Sequence, residues 1–301
     1  MSIRPPYLKK GDLVAITCPA KKLPRPMQDA VHLLESWGLR VVLGETTSAE
    51  WHQFAGDDQL RAKDMQRFID DPEVKAIFAA RGGYGTIRMI DLVDFSPLAE
   101  NPKWLIGFSD ITIIHAHLLA NYGLQSIHGQ MPINIPDATI SSIQTLKDAL
   151  FGAPLIYHLK GDKQNKTGKA TGQLIGGNLT LLTAILGSAS DMDYTGKILF
   201  IEDVGEYLYA TDRMIHTLKR AGKLKDLAGI IVGGFTEVKD NDIPFGFSAN
   251  EIILEAVKEY NYPVILNFPA GHVADNNSLI LGAEVSIETN TDKASISFIN
   301  N

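Results

Sequence analysis

A single cysteine in 301 residues, Cys18, leaves no disulfide framework and no thiolate cage for a metal ion. No apolar run approaches the roughly 20 residues needed to span a bilayer. The N-terminal stretch MSIRPPYLKKGDLVAIT has neither an apolar h-region nor a small-residue cleavage site, so no secretory signal is expected. Lysine and arginine (28, against 35 aspartates and glutamates) form no run able to follow a phosphate backbone, and the net charge is −7. Nucleic acid is therefore excluded as an expected partner. A G-x-G-x-x-G fingerprint after the first strand is also missing, which argues against a dinucleotide site. What remains is ordinary for a globular protein, 45% hydrophobic and 21% charged. It implies one large or two moderate domains in the cytoplasm.

The first half of the chain alternates strand and helix signals. Strands are expected over 12–17, 39–43, 74–80 and 104–108, and helices over 25–37, 57–69, 86–93 and 111–120. Gly38 and Gly123 supply the stops of the first and last helices. That spacing predicts a parallel, doubly wound α/β sheet, whose sites lie at the carboxyl ends of its strands. After residue 150 the texture changes. A polar, glycine-rich stretch (KGDKQNKTGKATG) reads as a linker, followed by strands at 197–201, 229–232 and 264–266 and by β-branched alternation over 278–299. The expected organisation is an N-terminal doubly wound domain over 1–150, a linker over 151–170 and a smaller β-rich mixed α/β domain over 171–301. No internal repeat stands out, although Gly-Gly pairs recur at 82–83, 176–177 and 233–234.

The run WLIGFSDI, Trp104 to Ile111, takes an apolar strand straight into a helical pattern. A serine at such a turn has its hydroxyl thrust outward, as in a nucleophile elbow, although G-x-S-D replaces G-x-S-x-G. Ser109 reads alternatively as a helix cap. A nucleophilic serine needs a base and a carboxylate to orient that base. His115 and His117 lie on the helix after Ser109 and are carried away from it, and His216 sits in a mixed helix, so all three read as packing or surface residues. His272, in the strand-end loop FPAGHVADNNS, is the candidate base. The strand in KILFIEDVGEYLYATDRM delivers Glu202 and Asp203, with Glu206 one turn later. Helix-opening acids are commonly only dipole partners, and strand-end Glu202 is the best placed. The loop RGGYG, Arg81 to Gly85, exposes backbone N–H groups through its glycines. With the Asp110 N–H it could form an oxyanion hole, Gly83 being the expected second donor. Arg81 reads equally as a ligand-anion partner or a structural salt bridge.

With these pieces in place, the chain resembles the LD-carboxypeptidase family of serine peptidases. The resemblance is carried by RGGYGTIRMID, IGFSDIT, LIGGNLTLL, LFIEDVGEYLYATDRM and AGHVADNNSLILGA, in order over residues 75 to 285, and the opening LKKGDLVAIT also fits. One departure is Cys18-Pro19-Ala20, where Ser/Pro-rich turn residues are expected. The resemblance implies a flavodoxin/Rossmann-like N-terminal domain, a β-rich C-terminal domain, no metal or other cofactor and a homodimer. It implies a triad of Ser109, Glu202 and His272, with Arg81, Gly82, Tyr84, Asn178 and Glu206 around the substrate. The implied reaction removes a terminal D-amino acid from an L-residue, typically D-alanine from a murein tetrapeptide in peptidoglycan recycling. A site shared between two domains would be open to control by domain movement. Two alternatives stand beside this reading. One is a self-immunity peptidase of the microcin C type, cleaving an aminoacyl nucleotide conjugate. The other is a non-catalytic anion-binding module gripping its ligand with Arg81 and the glycines.

Overall fold

The computed structural model describes residues 2–299. In chain order its strands and helices are β1 (Leu13–Thr17), α1 (Gln28–Ser36), β2 (Arg40–Leu43), α2 (Asp58–Asp70), β3 (Val74–Ala79), α3 (Thr86–Met89), α4 (Pro97–Glu100), β4 (Trp104–Gly107), α5 (Thr112–Tyr122), β5 (Ser126–His128) and α6 (Ile140–Phe151). They continue with β6 (Ile156–Lys160), β7 (Gly168–Asn178), α7 (Leu179–Ala184), β8 (Ile198–Val204), α8 (Leu208–Arg220), β9 (Gly229–Thr236), α9 (Ala249–Ala256), β10 (Val264–Ile265), β11 (Leu279–Leu281), β12 (Glu284–Thr289) and β13 (Lys293–Phe298).

The first sheet has the order β11-β5-β4-β3-β1-β2. Strands β1 to β5 run parallel in the flavodoxin order 2-1-3-4-5, and β11 closes the β5 edge antiparallel. Their near-continuous apolar runs, VKAIFA in β3 and WLIG in β4, are what a sheet covered on both faces requires. The second sheet has the order β10-β9-β8-β7-β12-β13-β6. Its long strand β7 belongs to two patterns at once. Residues 168–173 pair antiparallel with β12, and residues 174–178 pair parallel with β8. Mixed α/β architecture with a parallel first sheet matches the expectation.

Two elements fall outside the expected division of the chain. The stretch 151–170 contains β6, whose IYHLK alternates exposed and inward positions as it pairs with β13. That alternation outweighs the turn-like composition that follows it. Strand β11 comes from the second half of the chain yet completes the first sheet. Between the sheets lies α5, packed on both β5 and β7 and buried at Ile113, Ile114, His115, Ala116 and Leu118. The two hydrophobic clusters each draw on both sheets: Phe78, Trp104 and Ile106 share one with Leu174, Phe200 and Ile231. Among the described residues, no helix is long and apolar enough to cross a membrane.

Candidate active site

Ser109 stands at the carboxyl end of β4. Phe108 is extended, Ser109 then takes φ 64°, and a 3₁₀ turn over Ser109–Ile111 leads into α5. A left-handed serine between strand and helix is strained. Here it turns the hydroxyl away from the strand axis, as in a nucleophile elbow. The neighbouring Asp110 is buried and points elsewhere. Its Oδ2 accepts the Thr86 N–H at 2.8 Å, tying the serine turn to the start of α3, and burial pushes its carboxyl up from the ordinary range.

The RGGYG loop is the wall beside Ser109. A Cβ placed on Gly82 would stand 3.1 Å from the Ser109 Cβ and 3.3 Å from its Oγ, so any larger residue would crowd the hydroxyl. Gly83, at φ 105°, faces the Lys21 side chain instead. Arg61, with no exposed surface, holds this wall by donating to the carbonyls of Pro19 at 2.6 Å and Gly85 at 2.9 Å. In the sequence it reads as one more surface charge of α2; only the fold reveals its reach. Arg81 donates to the Lys22 carbonyl at 2.6 Å, and Tyr84 is exposed at the loop tip beside Phe54.

Glu202 lies in β8 where its pairing with β9 slips: Ile201 faces Val232, but Asp203 faces Phe235. One extra residue on β9 makes a bulge, a device that re-aims a side chain. The Gly233-Gly234 pair opposite supplies the room, since a Cβ on Gly233 would approach the Glu202 Cβ to 3.1 Å. Glu202 has no exposed surface. Its Oε2 accepts the His272 Nδ1–H at 2.7 Å. On the other side of the ring, Ser109 Oγ lies 3.1 Å from Nε2. The network is satisfied by a ring protonated on Nδ1 with the serine hydroxyl donating to Nε2. Gly271 at φ 104° is the last constraint: a Cβ there would meet Glu202 Oε2 at 2.6 Å. The ring also packs edge-on to Phe108, centroids 5.0 Å apart.

The charges follow from this burial. Desolvation lowers the His272 affinity for a proton, but the Glu202 hydrogen bond and charge outweigh it, aided by Asp203 and Glu237, and the net shift is upward from 6.5. Glu202 is itself pushed up by burial and pulled partly back by His272. His115 and His128 are buried and driven down, His115 to about 4, and stay neutral. His115 bonds the Ser126 hydroxyl and the Gly107 carbonyl, His117 lies against Ser190, and His216 sits 3.6 Å from Asp212, the packing and surface roles expected of them.

The acidic pair of β8 divides its labour. Asp203 Oδ1 accepts Asn178 Nδ2 at 2.9 Å, and Oδ2 accepts the Thr180 N–H and hydroxyl at 3.0 and 2.9 Å. Asn178 in turn caps α7 by accepting the Leu181 N–H at 3.2 Å. Its side chain is thus committed to the scaffold beside Glu202. Glu206 lies at the edge of the same cluster, 3.5 Å from the Thr180 hydroxyl. Among the described residues, no group of three or more His, Cys, Asp or Glu is placed to hold a metal ion. Sequence reasoning did not single out Gly233, Gly271, Arg61 or Thr180. The recurring Gly-Gly pair and the left-handed preference of glycine were the available signals for the first two.

Residues 14–129 match the model of the LD-carboxypeptidase N-terminal domain, and residues 171–287 that of the LD-carboxypeptidase C-terminal domain. The chain belongs to the LD-carboxypeptidase family. It is 34% identical over 295 residues to the probable murein peptide carboxypeptidase of Bacillus subtilis, covering 96% of this chain and 92% of the relative. The crystal structure of muramoyltetrapeptide carboxypeptidase from Oxalobacter formigenes superposes with a TM-score of 0.87 at 28% identity, over 95% of this chain and 98% of that one. A more distant relative is the microcin C7 self-immunity protein MccF of Escherichia coli, 26% identical over 88% of this chain and 86% of its own length.

Proposed function

We propose that the protein is a serine-type LD-carboxypeptidase that removes the terminal D-alanine from murein tetrapeptides, with Ser109, His272 and Glu202 as its triad. The observation that carries this reading is His272 held between Ser109 Oγ and the buried Glu202 carboxylate in a member of this family. Ser109 attacks the carbonyl of the L–D peptide bond while His272 Nε2 takes its proton. Glu202 fixes the imidazole tautomer and stabilises the imidazolium that forms. The oxyanion is received by the N–H groups of Asp110 and Gly83 in this scheme. His272 then protonates the departing amine, and water, activated by the same imidazole, releases the acyl group. Arg81, Gly82, Tyr84 and Glu206 border the cleft in which the peptide lies. Asn178 acts through Asp203 and the start of α7. The reading brings with it a cytoplasmic location, a homodimer, and two lobes that meet at the triad.

The nucleotide-conjugate alternative is less favoured. The segment after Gly177, NLTLLTAILGS, forms α7 and offers no tryptophan on which a base could stack. The decisive assay incubates purified protein with a tetrapeptide ending in L-Lys–D-Ala or diaminopimelate–D-Ala, and in parallel with an aminoacyl sulfamoyl adenylate. Release of D-alanine that disappears in Ser109→Ala supports the proposal. Turnover of the conjugate alone, or unchanged turnover in the variant, sinks it.

A further inference from the structure

A carboxypeptidase has to read the free carboxylate that follows the scissile bond. That group lies roughly 4 Å beyond the carbonyl carbon under attack, on the leaving side. The Glu202 side of the cleft has the wrong sign for it, since Asp203 and Glu237 act on His272 from there. The opposite wall consists of the RGGYG loop and the turn over 18–22 that packs on it. Apart from the buried Arg61, three cations stand on this wall, and two are committed. Lys22 Nζ pairs with Glu50 at 2.7 Å, and Arg81 Nη1 donates to the Lys22 carbonyl at 2.6 Å.

Lys21 differs from both. Among the described residues the ammonium of this half-buried residue has neither an ion pair nor a hydrogen bond. Its backbone, by contrast, is pinned. The N–H donates to the Gly82 carbonyl at 3.4 Å, the carbonyl accepts the Cys18 thiol at 2.9 Å, and the residue bridges Phe54. The side chain rises along the loop: a Cβ on Gly83 would meet Lys21 Cδ at 2.6 Å and Cε at 3.1 Å. The adjacent residue of that loop, Gly82, is the one that faces Ser109 Oγ. The Cys18-Pro19-Ala20 turn, set apart in the sequence as a departure from the family pattern, is therefore the segment that delivers this cation to the nucleophile's wall. An uncommitted ammonium on a fixed backbone, beside a loop kept clear by glycine, is suited to an incoming carboxylate.

We propose that Lys21 is a specificity residue whose ammonium binds the C-terminal carboxylate of the substrate. This rests on the carboxypeptidase reading above, and the test separates the two. Full-length protein is assayed on a peptide ending in L-Lys–D-Ala and on the same peptide ending in D-alaninamide. The native protein should prefer the free acid on the order of 100-fold in kcat/KM, the magnitude of a charge-assisted hydrogen bond. Lys21→Met and Lys21→Gln should lose most of that factor on the acid and less than about 3-fold on the amide, and Lys21→Arg should keep much of the preference. A native protein indifferent to the amide, or variants that lose equal activity on both peptides, would overturn the role of Lys21 while leaving the peptidase reading intact. A native protein that cleaves neither peptide overturns both.

Discussion

Glu202, without exposed surface, accepts the Nδ1–H of His272 at 2.7 Å across a gap of 70 residues in the chain. The carboxylate is shielded from water, and His272 is the cation-forming group it bonds. This relationship, more than the proximity of Ser109, sets the chemistry expected of the imidazole.

Replacing Glu202 by Gln should cost roughly 10⁴-fold in kcat if the proposed triad operates, the loss known when a Ser-His-Asp triad loses its orienting carboxylate. The base must be neutral, so kcat/KM of the native protein rises with pH and levels off above the His272 value, which burial depresses but Glu202 lifts above 6.5. In Glu202→Gln only the depressing effect of burial and the weaker influence of more distant acids remain, and the acidic limb moves to lower pH. The sign for stability follows from the same shift. The His272 contribution is complete below its unfolded value near 6.5 and is lost as pH rises through the higher folded value. A pH–rate profile of both proteins checks this, and an unmoved limb would refute the electrostatic role.

Ser109→Ala should fall by at least ~10⁴-fold in D-alanine release with its fold retained. Ser109→Gly should be as inactive yet more stable, because φ 64° is strained for serine and free for glycine. About 1 kcal/mol, or roughly 1–2 °C in melting temperature, is the expected gain. Differential scanning fluorimetry reads it directly, and a glycine variant that melts below the alanine variant contradicts the strain.

Two glycines should separate crowding from collapse. In Gly82→Ala the new methyl meets Ser109 Oγ at 3.3 Å without a left-handed backbone, so kcat should drop roughly 10–100-fold with stability changed by less than ~1 kcal/mol. Gly271→Ala places a methyl 2.6 Å from Glu202 Oε2 at φ 104° and should cost about 2–4 kcal/mol as well as activity. Urea unfolding alongside steady-state kinetics distinguishes them.

Asp203→Asn should destabilise by about 1–3 kcal/mol, because Asn178, Thr180 and Val204 all donate to this carboxylate. Its effect on kcat should stay near 10-fold, since Glu202 remains in place. If Asp203→Asn proves the more damaging of the two to catalysis, the roles of the neighbours are reversed.

Much of this was legible beforehand. The alternation of apolar runs and amphipathic stretches up to residue 123 gave the parallel sheet, and strand-end logic brought Ser109, Glu202 and His272 forward from a field of eight histidines and 35 acids. Strand-end position favours Glu202, but the work of Asp203 was not legible, because neighbours on a strand face opposite ways and its partners Asn178 and Thr180 come from another segment. The placement of the two acids depends on a register shift opposite Gly233 and Gly234, far along the chain. Arg61 was hidden for a different reason: beside an i,i+3 ion pair with Asp58 that any helix surface could show, it reaches the carbonyls of Pro19 and Gly85, and carbonyl partners leave no mark in sequence. Strand β6 was masked by the polar turn beside it, and β11, inside the tail read as strands, gave no sign that its three residues join the first sheet.

Those three residues have a consequence for how the protein can be cut and recombined. Leu279–Leu281 pair with Ser126–His128, so residues 1–150 taken alone would end in a bare strand edge with unpaired backbone groups, ready to stack on its own kind. Chimeras that exchange the first sheet between relatives must carry this late segment with it. The smallest transplantable piece of the enzyme is therefore discontinuous in the gene.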